Sequence, residues 1–334
     1  MNAHLESLRQ RRSYASLLLS YSCTVACEHC CFACSPREGA AVMSVEDALA
    51  HLKGFHTLNR MIHIAGGEPF LHYDRVREIV HAAYREGIAP HFIESNGSWC
   101  VSDELARERF QELRDHGVLW MLISTDPYHL RCIPVERIAR ALRIAEEVFG
   151  EGTTMGLTSE EDLVRRAERA RDETAWRQFI AHEPPRLVGR AAREFTRFYE
   201  PMPIGQLGLE SRWGRDPDDT CRRDWDPLWE IHVDPYGNVQ TNCGILLGNA
   251  NETPIAELMG SWHERNPLLD EFSKRGVAAL LEWGVDYGFP RPERSPQKCF
   301  LCFSLRAFLR RRDDRFKAIF GPDEIYEAEG RLLP

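Results

Sequence analysis

Residues 22–35, SCTVACEHCCFACS, contain five of the eleven cysteines of this 334-residue chain. Cys23, Cys27 and Cys30 form a C-x3-C-x2-C pattern. Three thiolates on one short loop can bind three irons of a [4Fe-4S] cluster and leave the fourth iron open to another ligand. The loop follows residues 14–21 (YASLLLSY), an apolar run with the length of a buried strand. The sequence therefore predicts a cluster at the carboxyl end of a first strand, where active sites lie in α/β barrels.

A second motif, residues 66–69 (GGEP), follows a second predicted strand, residues 60–65 (RMIHIA). With the cysteine pattern it resembles the radical S-adenosylmethionine (radical SAM) superfamily. In that family the methionine part of SAM chelates the open iron through its amine and carboxylate. The resemblance implies that Gly66 and Gly67 let the backbone approach the methionyl group, and that Glu68 accepts a hydrogen bond from its ammonium. A surface turn is the alternative.

The resemblance also assigns SAM contacts to polar residues after later strands. Asn96 follows the third predicted strand, and Ser124 and Asp126 follow the fourth. These positions hold the SAM ribose or carboxylate in relatives, and Arg190 is a candidate partner for the SAM carboxylate. Helix caps and turns are the alternative for the first three, and a surface arginine is the alternative for the last. His129 is either a substrate contact or a histidine packed in an Asx-type turn.

The composition excludes several classes of protein. A formal net charge of −9 argues against nucleic acid or an anionic membrane as the main partner. No secretory signal and no apolar run of about 18 residues occur, so we expect a soluble, cytoplasmic protein. Cytosolic thiols are kept reduced, which favours metal binding over disulfides. A zinc site built from the C-x2-C pairs Cys27/Cys30 and Cys299/Cys302 is the alternative, but it leaves Cys23 and the GGEP motif unexplained.

The chain from Tyr14 to about Phe149 alternates predicted strands with amphipathic helices, the pattern of βα units in a parallel sheet. The resemblance implies an α/β fold with a partial (β/α)6 barrel of the TIM type in a domain over residues 1–210. Ser44 with Asp47 predicts a capping box that opens a helix. Residues 160–181 are predicted to form one charged helix, and the short apolar pieces around Leu187 and Ile204 are candidates for the last two strands.

A second domain is expected over residues 211–334. Residues 229–234 and 239–243 flank a Pro-Tyr-Gly-Asn turn and predict a β-hairpin. Four thiolates, the number that closes a [4Fe-4S] cluster, are available here: Cys221, Cys243, Cys299 and Cys302. The region resembles the cysteine-rich SPASM and twitch extensions, and four cysteines fit the shorter twitch version with one auxiliary [4Fe-4S] cluster. One departure is that five residues separate Gly237 from Cys243, where four are typical.

Four further cysteines have no place in either cluster: Cys31, Cys34, Cys100 and Cys132. We expect them to be small buried residues. A redox or hydrogen-donor role is the alternative.

The resemblance implies that SAM is cleaved to a 5′-deoxyadenosyl radical, with a flavodoxin or ferredoxin type protein as electron donor. Thirteen residues precede Tyr14, too few for the leader-binding domain of peptide-modifying relatives. We therefore expect a small sugar, sugar-nucleoside or aminocyclitol substrate that is oxidised or decarboxylated in antibiotic biosynthesis. Epimerisation or crosslinking of a ribosomally made peptide is the alternative. Nothing in the sequence identifies a catalytic residue.

Overall fold

The chain forms two compact units in a computed structural model that describes residues 13–37, 41–150, 154–155, 159–209 and 228–327. The first unit consists of residues 1–27, 35–179 and 233–236, and the second of residues 28–34, 180–232 and 237–334. This division passes through the cysteine loop, because Cys23 and Cys27 belong to the first unit and Cys30 to the second. The predicted domain boundary between residues 210 and 211 lies outside the described residues.

The first unit contains a parallel sheet with the strand order β5-β4-β3-β2-β1. Its strands are β1 (Tyr14–Leu18), β2 (Met61–Ala65), β3 (Phe92–Ser95), β4 (Trp120–Ile123) and β5 (Thr154–Met155). Its helices are α1 (Val45–Thr57), α2 (Tyr73–Arg85), α3 (Asp103–Asp115), α4 (Pro127–Leu130), α5 (Val135–Phe149) and α6 (Glu160–Arg171). Parallel strands joined by helices confirm the predicted α/β class and the partial TIM-type barrel.

The helices begin where the sequence supplies capping residues. The Ser44 hydroxyl accepts a hydrogen bond from the Asp47 amide at 3.0 Å, so the predicted capping box opens α1. Ser102 caps α3 in the same way through the Leu105 amide. These caps fix the points at which the chain leaves the polar loops that follow the strands.

The sheet of the first unit has two different faces. Ile123 lies with Ile138 and Ala141 of α5 around one point beside Gly97, so its side of the sheet faces the helices. Side chains alternate along a strand, and register partners share a face. The opposite side, which we call the inner face, therefore carries the following residues: Ser16, His63, Phe92, Glu94, Trp120 and Leu122. Met61, Phe92 and Trp120 form a buried apolar cluster there.

The chain after β5 differs from the sequence-based expectation. Leu187 lies in a segment without regular structure, and Ile204 begins a single 3-10 turn. The short strand β6 (Met202–Pro203) pairs with β10 (Arg294–Ser295), not with the parallel sheet. The prediction that these pieces are the last barrel strands is therefore wrong. Prolines explain the difference, since they remove backbone donors that a central strand needs: Pro184, Pro185, Pro201 and Pro203.

The predicted charged helix over residues 160–181 is also interrupted. It forms α6 and then α7 (Glu173–His182), and Asp172 between them has extended backbone angles.

The second unit combines strands and helices. It contains β7 (Glu230–Val233) except for its last residue, together with β8 (Asn238–Gln240) and β9 (Leu246–Asn249), and the three strands are neighbours in that order. The first two match the predicted hairpin strands. Its helices are α8 (Arg190–Glu194), α9 (Ile255–Arg265), α10 (Pro267–Arg275), α11 (Val277–Asp286), α12 (Lys298–Arg310) and α13 (Asp323–Glu327). Among the described residues, no helix has the length and hydrophobicity needed to cross a membrane.

Candidate active site

The thiol of Cys23, just after β1, is contacted by a residue that follows β3. The Asn96 amide nitrogen donates to Cys23 Sγ at 3.5 Å and to Thr24 Oγ1 at 3.1 Å. The Asn96 side-chain oxygen accepts from the Ser98 amide at 2.9 Å, which fixes the orientation of the group. Hydrogen bonds from neighbouring groups to ligand atoms orient metal ligands and tune the metal. The predicted ligand Cys23 therefore has a positioned donor.

The GGEP motif lies directly against the backbone that leads into Cys23. A Cβ atom on Gly67 would be 1.8 Å from the Ser22 oxygen and 2.9 Å from the Cys23 nitrogen. A Cβ atom on Gly66, whose φ is +143°, would be 2.8 Å from the Ser20 oxygen. The Gly67 amide donates to the Ser20 oxygen at 2.8 Å. Glycine is needed at both positions because no side chain fits between the motif and the loop.

Glu68 is buried, with 1% exposure, and its carboxylate accepts three hydrogen bonds from the protein. Oε1 accepts from the Phe70 amide at 3.0 Å and from the Ser95 hydroxyl at 2.9 Å, and Oε2 accepts from the Asn96 amide at 2.7 Å. Burial raises the pKa of Glu68 to about 7, although these hydrogen bonds favour the charged form. A carboxylate offers about four acceptor sites. One site is thus compatible with the predicted contact to the SAM ammonium.

The second half of the cysteine loop is held by Arg190. Its guanidinium donates to the Ala33 oxygen at 2.6 Å and to the Cys34 oxygen at 2.9 Å, and its backbone amide donates to the Cys30 oxygen at 3.0 Å. Arg190 is therefore a buried residue that supports the loop and not a surface arginine. The predicted contact with the SAM carboxylate stays a prediction.

Cys30 has the electrostatic surroundings of a metal ligand. A hydrogen bond from Cys34, helped by the charge of Arg190, lowers the pKa of the Cys30 thiol to about 6 against the opposing effect of burial. Gly189, at φ +56°, allows the backbone to approach, since a Cβ atom there would be 2.3 Å from the Cys31 oxygen. The loop thus favours a thiolate at Cys30.

The polar residues after β4 are used mainly in local structure. Asp126 caps α4 by accepting from the His129 amide at 3.1 Å, and its other oxygen lies 2.6 Å from His129 Nδ1. This is the Asx-type turn that the sequence offered as the alternative for His129. The Ser124 amide donates to the Ser95 oxygen at 3.0 Å. Sequence reasoning missed Ser95, whose hydroxyl connects the end of β3 to Glu68. It was missed because it lies at the boundary between the predicted third strand and the polar residues that follow that strand.

A group of three cysteines in the second unit surrounds Arg306. This arginine has 0% exposure, and its Nη1 donates to the Cys243 oxygen at 2.7 Å. Burial opposes its charge, but Tyr326 and the thiols of Cys302, Cys243 and Cys299 raise its pKa. Its Nε and Nη2 atoms make no hydrogen bond of normal geometry within the described part of the chain. Cys221, the fourth predicted ligand, lies outside the described residues.

A buried guanidinium requires a negative counter-charge. Cys299, Cys302 and Arg306 lie on one face of α12, at a spacing of three and four residues. The Arg186 guanidinium adds a contact of 3.5 Å to Cys243 Sγ. These residues fit an anionic metal–thiolate group.

The remaining cysteines divide into buried and exposed positions. Cys100 and Cys34 are buried, and burial raises the pKa of the Cys100 thiol to about 11, which keeps that thiol protonated. Cys31 is half-buried. The expectation of burial is wrong for Cys132, which is exposed because it lies in the short turn between α4 and α5.

Comparison with known proteins gives a family for the first part of the chain. Residues 17–170 match the model of the Radical SAM superfamily. Over 118 residues the chain is 29% identical to the "Putative peptide biosynthesis protein YydG" of Bacillus subtilis (strain 168), a match that covers 34% of this chain and 36% of that protein. It therefore spans about a third of that relative's length. The family match includes the cysteine loop, the GGEP motif and Asn96, and it ends before Arg190.

Two solved structures are similar at low sequence identity. BtrN in complex with AdoMet and 2-DOIA is 16% identical, with coverage of 80% of this chain and 89% of that chain and a TM-score of 0.44. SuiB of Streptococcus suis bound to S-adenosylmethionine is 14% identical, with coverage of 78% and 68% and a TM-score of 0.36.

Proposed function

This chain carries a radical SAM domain over residues 17–170, and on that premise we propose that it is a radical SAM enzyme that removes a hydrogen atom from its substrate. The observation that carries the proposal is the contact between the GGEP motif and the cysteine loop. Gly67 leaves no room for a side chain beside Ser22 and Cys23. A backbone motif this close to a cluster loop suits a methionyl group that touches both.

The chain's own residues would hold and orient the cofactors. Cys23, Cys27 and Cys30 are the proposed ligands of the [4Fe-4S] cluster, which together with SAM supplies the 5′-deoxyadenosyl radical. Glu68 would accept from the SAM ammonium, and Asn96 would donate to the Cys23 thiolate. Further SAM contacts are proposed for Ser124, Asp126 and Arg190.

We further propose an auxiliary [4Fe-4S] cluster bound by Cys221, Cys243, Cys299 and Cys302. The support is the buried charge of Arg306 among three of these thiols, since a four-thiolate cluster supplies the missing negative charge. With all four irons bound by thiolate, such a cluster would carry electrons or stabilise the fold.

The proposed substrate is a small sugar, sugar-nucleoside or aminocyclitol that is oxidised or decarboxylated, in a cytoplasmic pathway of antibiotic biosynthesis. Reducing electrons would come from a flavodoxin or ferredoxin type protein. The second candidate is epimerisation or crosslinking of a ribosomally made peptide, which the similarity to the peptide biosynthesis protein YydG favours.

The test begins with anaerobic reconstitution with iron and sulfide. About eight irons per chain would support two clusters, and about four with zinc would support a structural zinc site instead of the second. SAM cleavage under dithionite should be lost in the Cys23, Cys27, Cys30→Ala variant, and retained cleavage would refute the proposal. Deuterium transfer into 5′-deoxyadenosine from labelled sugars, aminocyclitols and peptides would then separate the two substrate classes.

A further inference from the structure

The inner face of the first unit carries a polar pair that the sequence did not reveal. His63 Nε2 on β2 and Glu94 Oε1 on β3 are 3.2 Å apart. The His63 side chain is 1% exposed, whereas the Glu94 side chain is 38% exposed. The Glu94 carboxylate is therefore partly exposed beside a buried imidazole, and the pair is a close contact and not a hydrogen bond of normal geometry.

Apolar and aromatic groups surround this pair. The Phe92 ring stacks on the His63 ring at 4.5 Å between centroids and 9° between planes, and the Tyr14 ring meets His63 edge-on at 6.3 Å. A hydrogen bond made to a carboxylate in such surroundings is stronger than one in water. The few polar groups of an apolar site are the ones that orient a ligand.

A third polar group belongs to the same face. Ser16 on β1 is the register partner of His63, so the two side chains share a face. Ser16 has 0% exposure, and its hydroxyl has no hydrogen-bond partner among the residues that the structure describes. Burying a hydroxyl without a partner costs free energy, so this group is placed to bond with a ligand.

The pair lies close to the proposed cluster along the strands. Glu94 precedes Asn96, the donor to Cys23, by two residues, which is about 7 Å at the rise of a strand. His63 precedes Gly66 by three residues on β2. A molecule that contacts Glu94 would thus lie just inside the strand ends where SAM is proposed to bind.

We propose that Glu94, positioned by His63 and accompanied by Ser16, is the substrate-binding carboxylate of the inner face and selects hydroxyl- or ammonium-bearing small molecules. A carboxylate accepts hydrogen bonds from O–H and N–H⁺ groups and repels a substrate carboxylate. This inference rests on the proposed function and deepens it, because it favours amino- and hydroxyl-bearing carbons over sugar acids.

The experiment measures binding to the reconstituted wild-type protein by calorimetry with three probes: D-glucosamine, myo-inositol and D-glucuronate. We expect wild type to bind glucosamine and inositol better than glucuronate. Glu94→Gln should weaken glucosamine binding by roughly 10- to 100-fold, the range for a lost hydrogen bond to a charged group. It should also remove the discrimination against glucuronate, which a merely structural role would not do.

The matched control is Glu112→Gln. Glu112 also lies 3.2 Å from a histidine, His81, but it stands on α3 in the helix layer, and its loss should leave probe binding unchanged. Ser16→Ala should weaken binding without changing the preference between amine and acid. Absence of probe binding to wild type, or equal loss for all probes in Glu94→Gln, would overturn the inference. Failure of wild type to cleave SAM would instead refute the proposed function, because the binding measurement does not depend on it.

Discussion

Replacing Gly67 with alanine should displace the cysteine loop and weaken cluster binding. The added Cβ would stand 1.8 Å from the Ser22 oxygen, and real Cβ contacts essentially never fall below 3.0 Å. The backbone before Cys23 must therefore move by about 1.2 Å. Overpacking of this kind costs about 1–3 kcal/mol or more, and the 3.0 Å hydrogen bond from the Glu68 amide to the Ser22 oxygen would be strained as well.

The assay for this variant is iron content and 5′-deoxyadenosine formation after anaerobic reconstitution. Since about 1.4 kcal/mol corresponds to a tenfold change in binding, a cost of about 1–3 kcal/mol should weaken binding of the first cluster by roughly 5- to 140-fold. Gly205→Ala is the control, because a Cβ there meets nothing within 4 Å. Far-UV circular dichroism should show that both variants are folded. A Gly67→Ala protein with wild-type iron content and wild-type SAM cleavage would refute the steric argument.

Three further predictions concern buried polar groups. Asn96→Ala removes the donor to Cys23 Sγ, so the midpoint potential of the first cluster, measured by an EPR-monitored titration, should become more negative; an unchanged potential would contradict this. If an anionic cluster is the partner of Arg306, Arg306→Met should lower the free energy of unfolding of the cluster-loaded protein by about 3–5 kcal/mol, measured by urea unfolding. An unchanged or increased free energy of unfolding would mean that no negative charge lies beside Arg306. Glu68 has a raised pKa of about 7, so the folded state holds its proton more tightly than the unfolded state does, and the stability this gives is lost as pH rises through about 7. The difference in unfolding free energy between wild type and Glu68→Gln should therefore change by about 3 kcal/mol from pH 4.5 to 7.5. If this difference did not change with pH, the Glu68 carboxyl would not have the raised pKa that the argument requires.

The fold of the first unit could be predicted because its signals are local. Apolar runs, capping residues such as Ser44 and polar clusters at strand ends recur in order along residues 14–149. The predicted strands that the structure lacks are those where the apolar segments are short and interrupted by proline. Leu187 and Ile204 look like strand centres in a hydropathy pattern, but the neighbouring prolines cannot join a central sheet.

The candidate site was predictable only in its ligand types. The cysteine spacing and the GGEP motif indicate the chemistry. The strand register that sets His63 beside Ser16, in contrast, cannot be derived from either motif. The role of Arg190 was missed for the same reason, since its contacts with Ala33 and Cys34 join residues more than 150 positions apart. Long-range contacts of this kind leave no periodic pattern in the sequence.

The support of the cysteine loop by Arg190 also has a consequence for how the protein is made. Cys30 leaves the ribosome about 160 residues before Arg190, whose amide and guanidinium hold the Cys30–Cys34 turn. At roughly 5–20 residues per second, this interval lasts about 8–30 s. During that time the nascent thiols lack the cationic partner that completes their surroundings. We therefore expect iron and sulfide to be retained stably only after Arg190 has been synthesised, when more than half of the chain has been made.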